Sequence, residues 1–257
     1  MLIRGPSGSG KSRLALDLIG AARPSIADPF LPRKIDEGRE QEIRECIGCN
    51  ICISSWHDSV PVRCTQNPTI GEEWRRDWHP ERILRAGSNA SVLVVGAGPA
   101  GLECALTLGR RGYEVNLAEA AEELGGRLRF ETRLPGLATW GRVLEWRRGQ
   151  LQRLDNVNVY RGNRLSAEEI RELAPTHVVL ATGARWARLL YSPLEVPAGS
   201  LEGPGVYTPD DIAAGANLAG PVVVIVPVHP MDYNRLSIDQ HLAITNLDGT
   251  ESNPDGR

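Results

Sequence analysis

Four of the five cysteines in the chain lie within a stretch of 19 residues. Cys46, Cys49 and Cys52 are separated by two residues each, and Cys64 follows after eleven more residues. A 4Fe-4S cluster needs four thiolates. A CxxCxxC loop can wrap three corners of such a cube while a later cysteine supplies the fourth. The spacing therefore predicts a redox cluster held by these four side chains.

Zinc is the main alternative for these ligands, because it also binds four cysteines. Zinc ribbons use two separated CxxC pairs, whereas three thiolates in one CxxCxxC loop fit the corners of a cube better. Gly48 and Asn50 also suit the tight turns that a cluster loop requires. The pattern thus favours a 4Fe-4S cluster, with a zinc site and free thiols as the alternatives.

A glycine-rich segment, Gly96-Ala97-Gly98-Pro99-Ala100-Gly101, fits the GxGxxG pattern. It follows a short apolar run and precedes a helical one, which is the context of a dinucleotide-binding loop. The glycines permit a tight turn, the approach of a pyrophosphate and close packing of helix on strand. Glu119 lies 23 residues after Gly96, where a carboxylate would take the ribose hydroxyls of FAD, ADP or NAD and disfavour a 2′-phosphate.

Two further segments support a dinucleotide site. Gly125-Gly126-Arg127 comes after the second predicted strand, and Ala181-Thr182-Gly183 ends a later one. Such positions allow close backbone approach to a ligand at the edge of a parallel sheet. The predicted cofactor-binding residues are Gly96, Gly98, Pro99, Ala100, Gly101, Glu119, Gly126, Arg127, Thr182 and Gly183.

Apolar runs and helical periods alternate in the segment that must position these residues. Buried strands are predicted at 91–95, 177–181 and 221–226, a further strand at 114–118, and helices at 99–111 and 139–154. This alternation is typical of an α/β fold, a Rossmann-like parallel sheet in three layers. Cys104 falls inside the first predicted helix, where it is expected to pack in the core.

The N-terminus matches another phosphate-binding pattern, GxxxxGK[ST], at Gly5, Gly10, Lys11 and Ser12. It looks like an HPr kinase-type P-loop. A working P-loop domain needs further strands and an Asp that holds the metal ion. The later strands belong to the dinucleotide fold and none ends in a suitable Asp. The motif is therefore interpreted as a fused N-terminus, with NTP binding or adventitious phosphate binding as alternatives.

Composition and charge argue against several classes of function, among them nucleic-acid binding and membrane insertion. The chain has 257 residues, with 29 Lys and Arg against 32 Asp and Glu, and a net charge of -3. Charge this close to neutral gives no case for nucleic-acid binding. No apolar run approaches the ~18 residues of a membrane span, and the first residues lack the features of a secretory signal. We therefore expect one or two domains in the cytoplasm, without a nucleic-acid or membrane partner.

From about residue 14 to 226 the sequence resembles the trimethylamine/dimethylamine dehydrogenase family, which is related to 2,4-dienoyl-CoA reductase. The resemblance is carried by residues 17–32, 46–52, 64–67, 71–80, 96–101, 134–137 and 181–186. It implies an iron–sulfur flavoprotein with a flavin-binding (β/α)8 barrel, a 4Fe-4S cluster after the barrel, and a portion that binds FAD or ADP. It also implies that Cys46, Cys49, Cys52 and Cys64 are cluster ligands. Arg23 matches an arginine near the end of the barrel that contacts the FMN phosphate.

The sequence also departs from that family. Only 45 residues precede the first clustered cysteine, whereas a whole barrel needs about 200 residues or more. The catalytic barrel residues are expected to be absent, so FMN would not be held by this chain alone. We expect a truncated C-terminal part with four segments: a P-loop-like N-terminus and barrel-end remnant at 1–40, a small irregular cluster segment at 41–88, the dinucleotide-binding domain at 89–226, and a polar tail at 227–257.

The predicted function is that of an oxidoreductase portion carrying electrons between a flavin and a 4Fe-4S cluster. Its partner would be an electron donor or acceptor flavoprotein, or the missing barrel portion, and a homo-oligomer is compatible with the sequence. No catalytic residue is assigned. Two alternatives stay open: a P-loop NTP-binding protein with a structural four-cysteine metal site, and a non-catalytic truncated or chimeric product.

Overall fold

The computed structural model describes residues 22–57, 59–72, 74–75, 83–85, 89–186 and 205–218. The P-loop match at residues 5–12 and the strand predicted at 221–226 lie outside these ranges. The described elements, in chain order, are α1 (Ala22–Ala27), α2 (Leu31–Asp36), a 3₁₀ turn (Glu40–Glu42), α3 (Ile51–His57), β1 (Ser91–Val95), α4 (Pro99–Arg110), β2 (Glu114–Ala118), α5 (Leu128–Glu131), a 3₁₀ turn (Ala138–Trp140), α6 (Gly141–Leu151), β3 (Val157–Tyr160), α7 (Ala167–Leu173), β4 (His177–Leu180) and α8 (Pro209–Ala213).

The four described strands form one parallel sheet with the order β3-β2-β1-β4. At its carboxyl edge Val95 pairs with Ala118 on one side and with Leu180 on the other. The chain thus builds the sheet outward through β2 and β3, then returns to the other side of β1. This reversal creates a crevice after β1 and β4, where ligands bind in open α/β sheets. The predicted Rossmann-like parallel sheet is confirmed.

The core of the sheet domain lies between one sheet face and the helices α4 and α6. Leu102, Ala105 and Leu106 recur on one face of α4 and are buried against Val94 and Leu117 of the strands. Burial of each large aliphatic side chain contributes roughly 1.5–3 kcal/mol relative to its exposure. This packing fixes where α4 begins, and so positions the glycine loop that connects it to β1. The further helical layer of the predicted three-layer architecture stays a prediction.

Several details of the fold differ from the sequence-based expectations. β3 and α7 were not predicted, because β3 is a four-residue strand that exposes most of its side chains and lacks a clear apolar run. The prediction of a buried strand at 177–181 is wrong in its burial. β4 ends at Leu180, whose side chain is 70% exposed, because this strand lies at an edge of the described sheet. Helix α6 covers 141–151 rather than 139–154.

Two short helices precede the cysteine segment. They are joined by a buried ion pair in which Lys34 Nζ lies 2.7 Å from Asp28 Oδ2. The same carboxylate oxygen accepts the backbone N–H of Arg44 at 2.9 Å. Asp28 therefore connects α1 and α2 to the chain that leads into the cysteine loop. The barrel-end remnant at residues 1–40 stays a prediction.

The chain divides into two compact units, residues 1–183 and 184–257. In the second unit, Thr208 caps helix α8 by a reciprocal pair of hydrogen bonds with Asp211, and the backbone N–H of Trp186 donates to Asp210. Among the helices in the described ranges, none combines the length and the apolar character needed to cross a bilayer.

Candidate functional site

The glycine loop between β1 and α4 lies in the crevice at the carboxyl edge of the sheet. Gly96 has φ +102, and a Cβ at this position would collide with the carbonyl oxygen of Ala181 after β4. A Cβ on Gly101 would collide with the carbonyl oxygen of Gly96. These two glycines are therefore required by packing of the loop against itself and against β4.

Gly98 plays a different role from its neighbours. Its backbone is extended, with φ -70 and ψ -179, and a Cβ here would meet no atom within 4 Å. It precedes Pro99, the first residue of the 12-residue helix α4, and offers no side chain to the N–H groups of the first turn. Exposed N–H groups and the positive end of a helix dipole suit a phosphate. Gly98 thus faces open space at this helix terminus, with Pro99 and Ala100 exposed beside it; phosphate binding here stays a prediction.

Glu119 directly follows β2 and is held beside the glycine loop. Its Oε2 accepts the N–H of Ala97 at 2.7 Å, and its Oε1 accepts the N–H of Ala121 at 2.9 Å. These two bonds fix the carboxylate at the carboxyl edge of the sheet. Each carboxylate oxygen has a second acceptor position, so the group can still receive ribose hydroxyls. The structure brings Glu119 to the loop as the spacing predicts.

The second glycine segment packs directly on the first. The N–H of Gly125 donates to the carbonyl of Ala97 at 2.8 Å. A Cβ on Gly126, which has φ +54, would lie 3.1 Å from Gly98 Cα. Arg127 follows at the start of α5 and is half-buried. This segment therefore borders the space beside Gly98.

The third predicted segment follows β4 across the same crevice. The N–H of Ala181 donates to the carbonyl of Val95 at 2.8 Å, which continues the β1–β4 ladder. Thr182 and Gly183 come next, both exposed, and Gly183 has φ +86. Their roles toward a cofactor stay predictions.

The cysteine loop lies before the sheet domain and makes two left-handed turns. Gly48 has φ +73 and Asn50 has φ +59, as the turn-forming residue types predict. The second turn leads into α3, which carries Cys52 in its first turn, on a buried face. Arg23 donates from Nη1 to Asn50 Oδ1 at 2.5 Å. Arg23 thus contacts the cysteine loop, and its match to an FMN-phosphate arginine stays a prediction.

The sulfur of Cys64 is affected electrostatically by those of two other cysteines in the loop. Burial raises the pKa of the Cys64 thiol, the backbone N–H groups of Gln66 and Asn67 act in the opposite direction, and Cys49 and Cys46 raise it further. In the part of the chain that the structure describes, no three His, Cys, Asp or Glu side chains are placed to hold one metal ion. Each thiolate of a 4Fe-4S cluster binds a different iron, so four cysteines of this spacing suit a cluster without converging on one point. Their role as cluster ligands stays a prediction.

A buried arginine joins the cysteine segment to the sheet domain. Arg147 of α6 donates from Nη1 to Gln66 Oε1 at 3.0 Å and from Nη2 to the Gln66 carbonyl at 3.3 Å. Its Nε lies 2.7 Å from Glu103 Oε2 on α4. Gln66 in turn donates to the carbonyl of Glu45, next to the first cysteine. One side chain thus connects the helix behind the glycine loop to both ends of the cysteine segment.

Further contacts from α6 surround this anchor. Trp146 donates from Nε1 to the Glu42 carbonyl at 2.9 Å, and Arg142 donates to the Cys46 carbonyl at 3.1 Å. The guanidinium of Arg44 lies 4.9 Å from the centre of the Trp146 ring, a geometry that favours a cation–π interaction. Sequence reasoning missed these residues because a polar side chain on a helix is by default expected to face solvent.

Cys104 belongs to α4 and lies partly buried against the core. Partial burial raises the pKa of its thiol, and the neighbouring Glu103 acts in the same direction. The expectation that Cys104 packs against the core is thus confirmed, although its side chain is only partly buried.

Comparison with known proteins agrees with this geometry. The family model described as "Pyridine nucleotide-disulphide oxidoreductase" matches residues 90–225. A dimethylamine dehydrogenase from Hyphomicrobium sp. (strain x) is 45% identical over 222 residues, which is 82% of this chain and 30% of that protein. A match of that extent reaches beyond the sheet domain into the cysteine segment.

Two solved structures resemble the chain closely. A 6-hydroxypseudooxynicotine amine oxidase from Pseudomonas geniculata N1 has a TM-score of 0.72 and 47% identity, over 80% of this chain and 32% of that one. A histamine dehydrogenase from Rhizobium sp. 4-9 has a TM-score of 0.70 and 48% identity, over 79% of this chain and 31% of that one. The chain thus spans about a third of the length of these relatives. Through residues 90–225, more than half of its length, the protein belongs to the pyridine nucleotide-disulphide oxidoreductase family, with amine dehydrogenase-like flavoproteins among its relatives.

Proposed function

We propose that this chain is the electron-carrying and nucleotide-binding portion of an amine dehydrogenase-like flavoprotein. Cys46, Cys49, Cys52 and Cys64 hold a 4Fe-4S cluster, and the glycine loop after β1 holds the ADP moiety of FAD, or ADP itself. When bound, the cluster supplies a one-electron carrier. The residues of this chain bind and orient the two groups, and the amine substrate and its catalytic residues belong to a barrel portion.

The observation that carries this proposal is the environment of Cys64. The chain around Cys64 folds back onto the CxxCxxC loop, since Cys49 Sγ lies 3.2 Å from the hydroxyl oxygen of Thr65, the residue after Cys64. Burial, with Cys49 and Cys46 adding to it, raises the pKa of the Cys64 thiol, and backbone N–H groups of Gln66 and Asn67 act in the opposite direction. These N–H groups are donors that an iron-bound thiolate would keep. The neighbouring turns at Gly48 and Asn50 give the loop the curvature needed to surround a compact group.

The nucleotide half of the proposal rests on the contrast between the glycines. Gly96 and Gly101 are required by close backbone contacts, whereas Gly98 faces open space beside the first turn of α4. The carboxylate of Glu119 is bonded to Ala97, the residue before Gly98, and α4 begins just after it, an arrangement that suits a ribose at the carboxylate and a diphosphate at the helix terminus. A carboxylate at this position disfavours a 2′-phosphate, which supports FAD or ADP over an NADP-type moiety.

The test of the cluster uses the full chain purified without oxygen, compared with two cysteine variants. Cys49→Ala removes a proposed ligand, and Cys104→Ala removes the fifth cysteine, which belongs to helix α4 and not to the loop. The wild type and Cys104→Ala are expected to show broad visible absorbance and about four irons with matching acid-labile sulfide. Cys49→Ala is expected to lose most of the absorbance and iron.

The same preparations test the nucleotide. Heat extraction of the wild type is expected to release FAD or ADP, identified by mass spectrometry. A colourless wild-type protein that contains zinc instead of iron overturns the cluster proposal. A protein that retains no nucleotide and binds neither ADP nor FAD in calorimetry overturns the nucleotide half, while leaving the cluster proposal to be judged by iron.

A further inference from the structure

The three cysteine sulfurs with described hydrogen bonds do not all receive the same kind of donor. Cys46 Sγ accepts the backbone N–H of Gly48 at 3.4 Å, and Cys64 Sγ accepts backbone N–H groups. Cys49 Sγ instead lies 3.2 Å from the hydroxyl oxygen of Thr65. A backbone donor is present whatever the side chain, but the contact to Cys49 depends on the identity of residue 65.

Iron binding to Cys49 would fix which atom donates and which accepts in this hydrogen bond. A free thiol and a hydroxyl can each act as donor, but a ligated thiolate carries no proton. The Thr65 hydroxyl must then donate and the Cys49 sulfur must accept. Thr65 follows Cys64 directly and is half-buried, so the cysteine backbone itself holds the hydroxyl in the loop.

The surroundings of Cys49 strengthen such a bond. Cys49 is packed against the apolar core that contains the buried Ile47. A hydrogen bond in a region of low dielectric is electrostatically stronger than one in water. Reduction adds one electron to the cluster and increases the negative charge on its sulfurs, so an O–H donor stabilises the reduced form more than the oxidised form.

We propose that the Thr65 hydroxyl, by donating to the Cys49 sulfur, raises the reduction potential of the 4Fe-4S cluster. This inference rests on the proposed function, because it requires the cluster. It makes Thr65 a tuning residue outside the ligand set, acting through a hydrogen bond to a ligand sulfur, one of the factors that set cluster potentials.

The experiment is a potentiometric titration, followed by visible absorbance, of the full chain purified without oxygen. Thr65→Val removes the hydroxyl at nearly constant size, and Thr65→Ser restores it. Thr139→Val is the matched control, because the Thr139 hydroxyl donates to the carbonyl of Ile47 at 3.4 Å, in the same loop but not at a sulfur. Iron content and far-UV circular dichroism confirm that each variant is loaded and folded.

Thr65→Val is expected to lower the ratio of reduced to oxidised cluster at a fixed potential by about tenfold, which corresponds to about 59 mV for a one-electron couple. Thr65→Ser and Thr139→Val are expected to titrate close to the wild type. An unchanged potential in Thr65→Val, or an equal shift in Thr139→Val, overturns the inference while the cluster proposal stands. If Thr65→Val loses its iron, Thr65→Ala, which also lacks the hydroxyl, is titrated in its place: a lowered potential supports the inference and an unchanged potential overturns it. A wild type without iron overturns the proposed function and this inference with it.

Discussion

The glycine loop after β1 and the cysteine loop before the sheet lie in one compact unit, residues 1–183, but different forces hold them. The glycine loop is determined by backbone contacts at positions where a Cβ has no space, and by the apolar core under α4. The cysteine loop is anchored by side-chain hydrogen bonds and a buried charge, centred on Arg147 and Gln66. A loop that is fixed by its own backbone contacts, like the glycine loop, can be recognised from a short motif. A loop that is anchored by side chains, like the cysteine loop, also depends on residues far away in the sequence.

The largest effect is expected from breaking the anchor of the cysteine loop. Arg147→Met leaves the Glu103 carboxylate and the Gln66 side chain without their buried partner. Because the Glu103 side chain is 24% exposed, the loss should lie near the lower end of the ~3–5 kcal/mol that breaking a buried ion pair costs. A urea denaturation series of the iron-free protein measures it. The loss should also appear as faster hydrogen exchange in the cysteine segment.

Arg153→Met, just after the same helix, is the matched control. Arg153 Nη1 lies 2.9 Å from Glu42 Oε1, but the Arg153 side chain is 43% exposed. Exposed ion pairs contribute about 0–1 kcal/mol, so the control should unfold near the wild-type urea concentration. Equal losses in the two variants would contradict the view that a buried charge anchors this region.

Adding one methyl group to the glycine loop is expected to have different effects at two positions: on stability at Gly101 and on nucleotide binding at Gly98. Gly101→Ala forces a Cβ into the carbonyl oxygen of Gly96 and is expected to destabilise the fold by about 1–3 kcal/mol, the usual cost of overpacking. Gly98→Ala should change the unfolding free energy by less than about 0.5 kcal/mol, because its Cβ meets open space. It should nevertheless weaken ADP binding in calorimetry, since the methyl group enters the space proposed for the diphosphate. Normal ADP affinity in Gly98→Ala would contradict that placement.

The two regions also differ in how much of their structure the sequence could predict. The alternation of apolar runs was sufficient for β1, α4 and β2, because local periodicity and the core pattern agree there. Strand β3 was missed, since its edge position leaves it without a clear apolar run. The four cysteines and the turns at Gly48 and Asn50 were readable from spacing. Their anchor was not, because Arg147 and Gln66 are 81 residues apart and no local pattern distinguishes a buried arginine from an exposed one.

The carboxylate at the edge of the sheet is expected to set nucleotide preference. Glu119→Gln replaces an acceptor oxygen with an NH₂ group that would face a backbone donor, Ala97 or Ala121. We expect about a tenfold loss of ADP affinity, equivalent to about 1.4 kcal/mol, and weaker discrimination against 2′-phospho-ADP. Competition calorimetry measures both quantities. Glu114→Gln, at the opposite end of β2, is the control and should leave both quantities unchanged. An unaltered nucleotide preference in Glu119→Gln would contradict the proposed contact between Glu119 and the ribose.

The smallest effect concerns the one cysteine that belongs to the sheet domain. Partial burial, with Glu103 adding to it, raises the pKa of the Cys104 thiol above its ordinary value, so the folded chain holds less thiolate at pH 8 than the unfolded chain. Because the thiolate is the reactive form, the pH profile of iodoacetamide alkylation of Cys104 should have its inflection at higher pH in folded, iron-free protein than in urea. By linkage, this thiol contributes stability that is present below the unfolded pKa and lost as pH rises through the folded pKa. Mass spectrometry of the Cys104 peptide follows the rate, with Cys104→Ala identifying the signal. An inflection at or below that of the unfolded chain would contradict the burial of this sulfur and make it resemble a reactive thiol instead of a core residue.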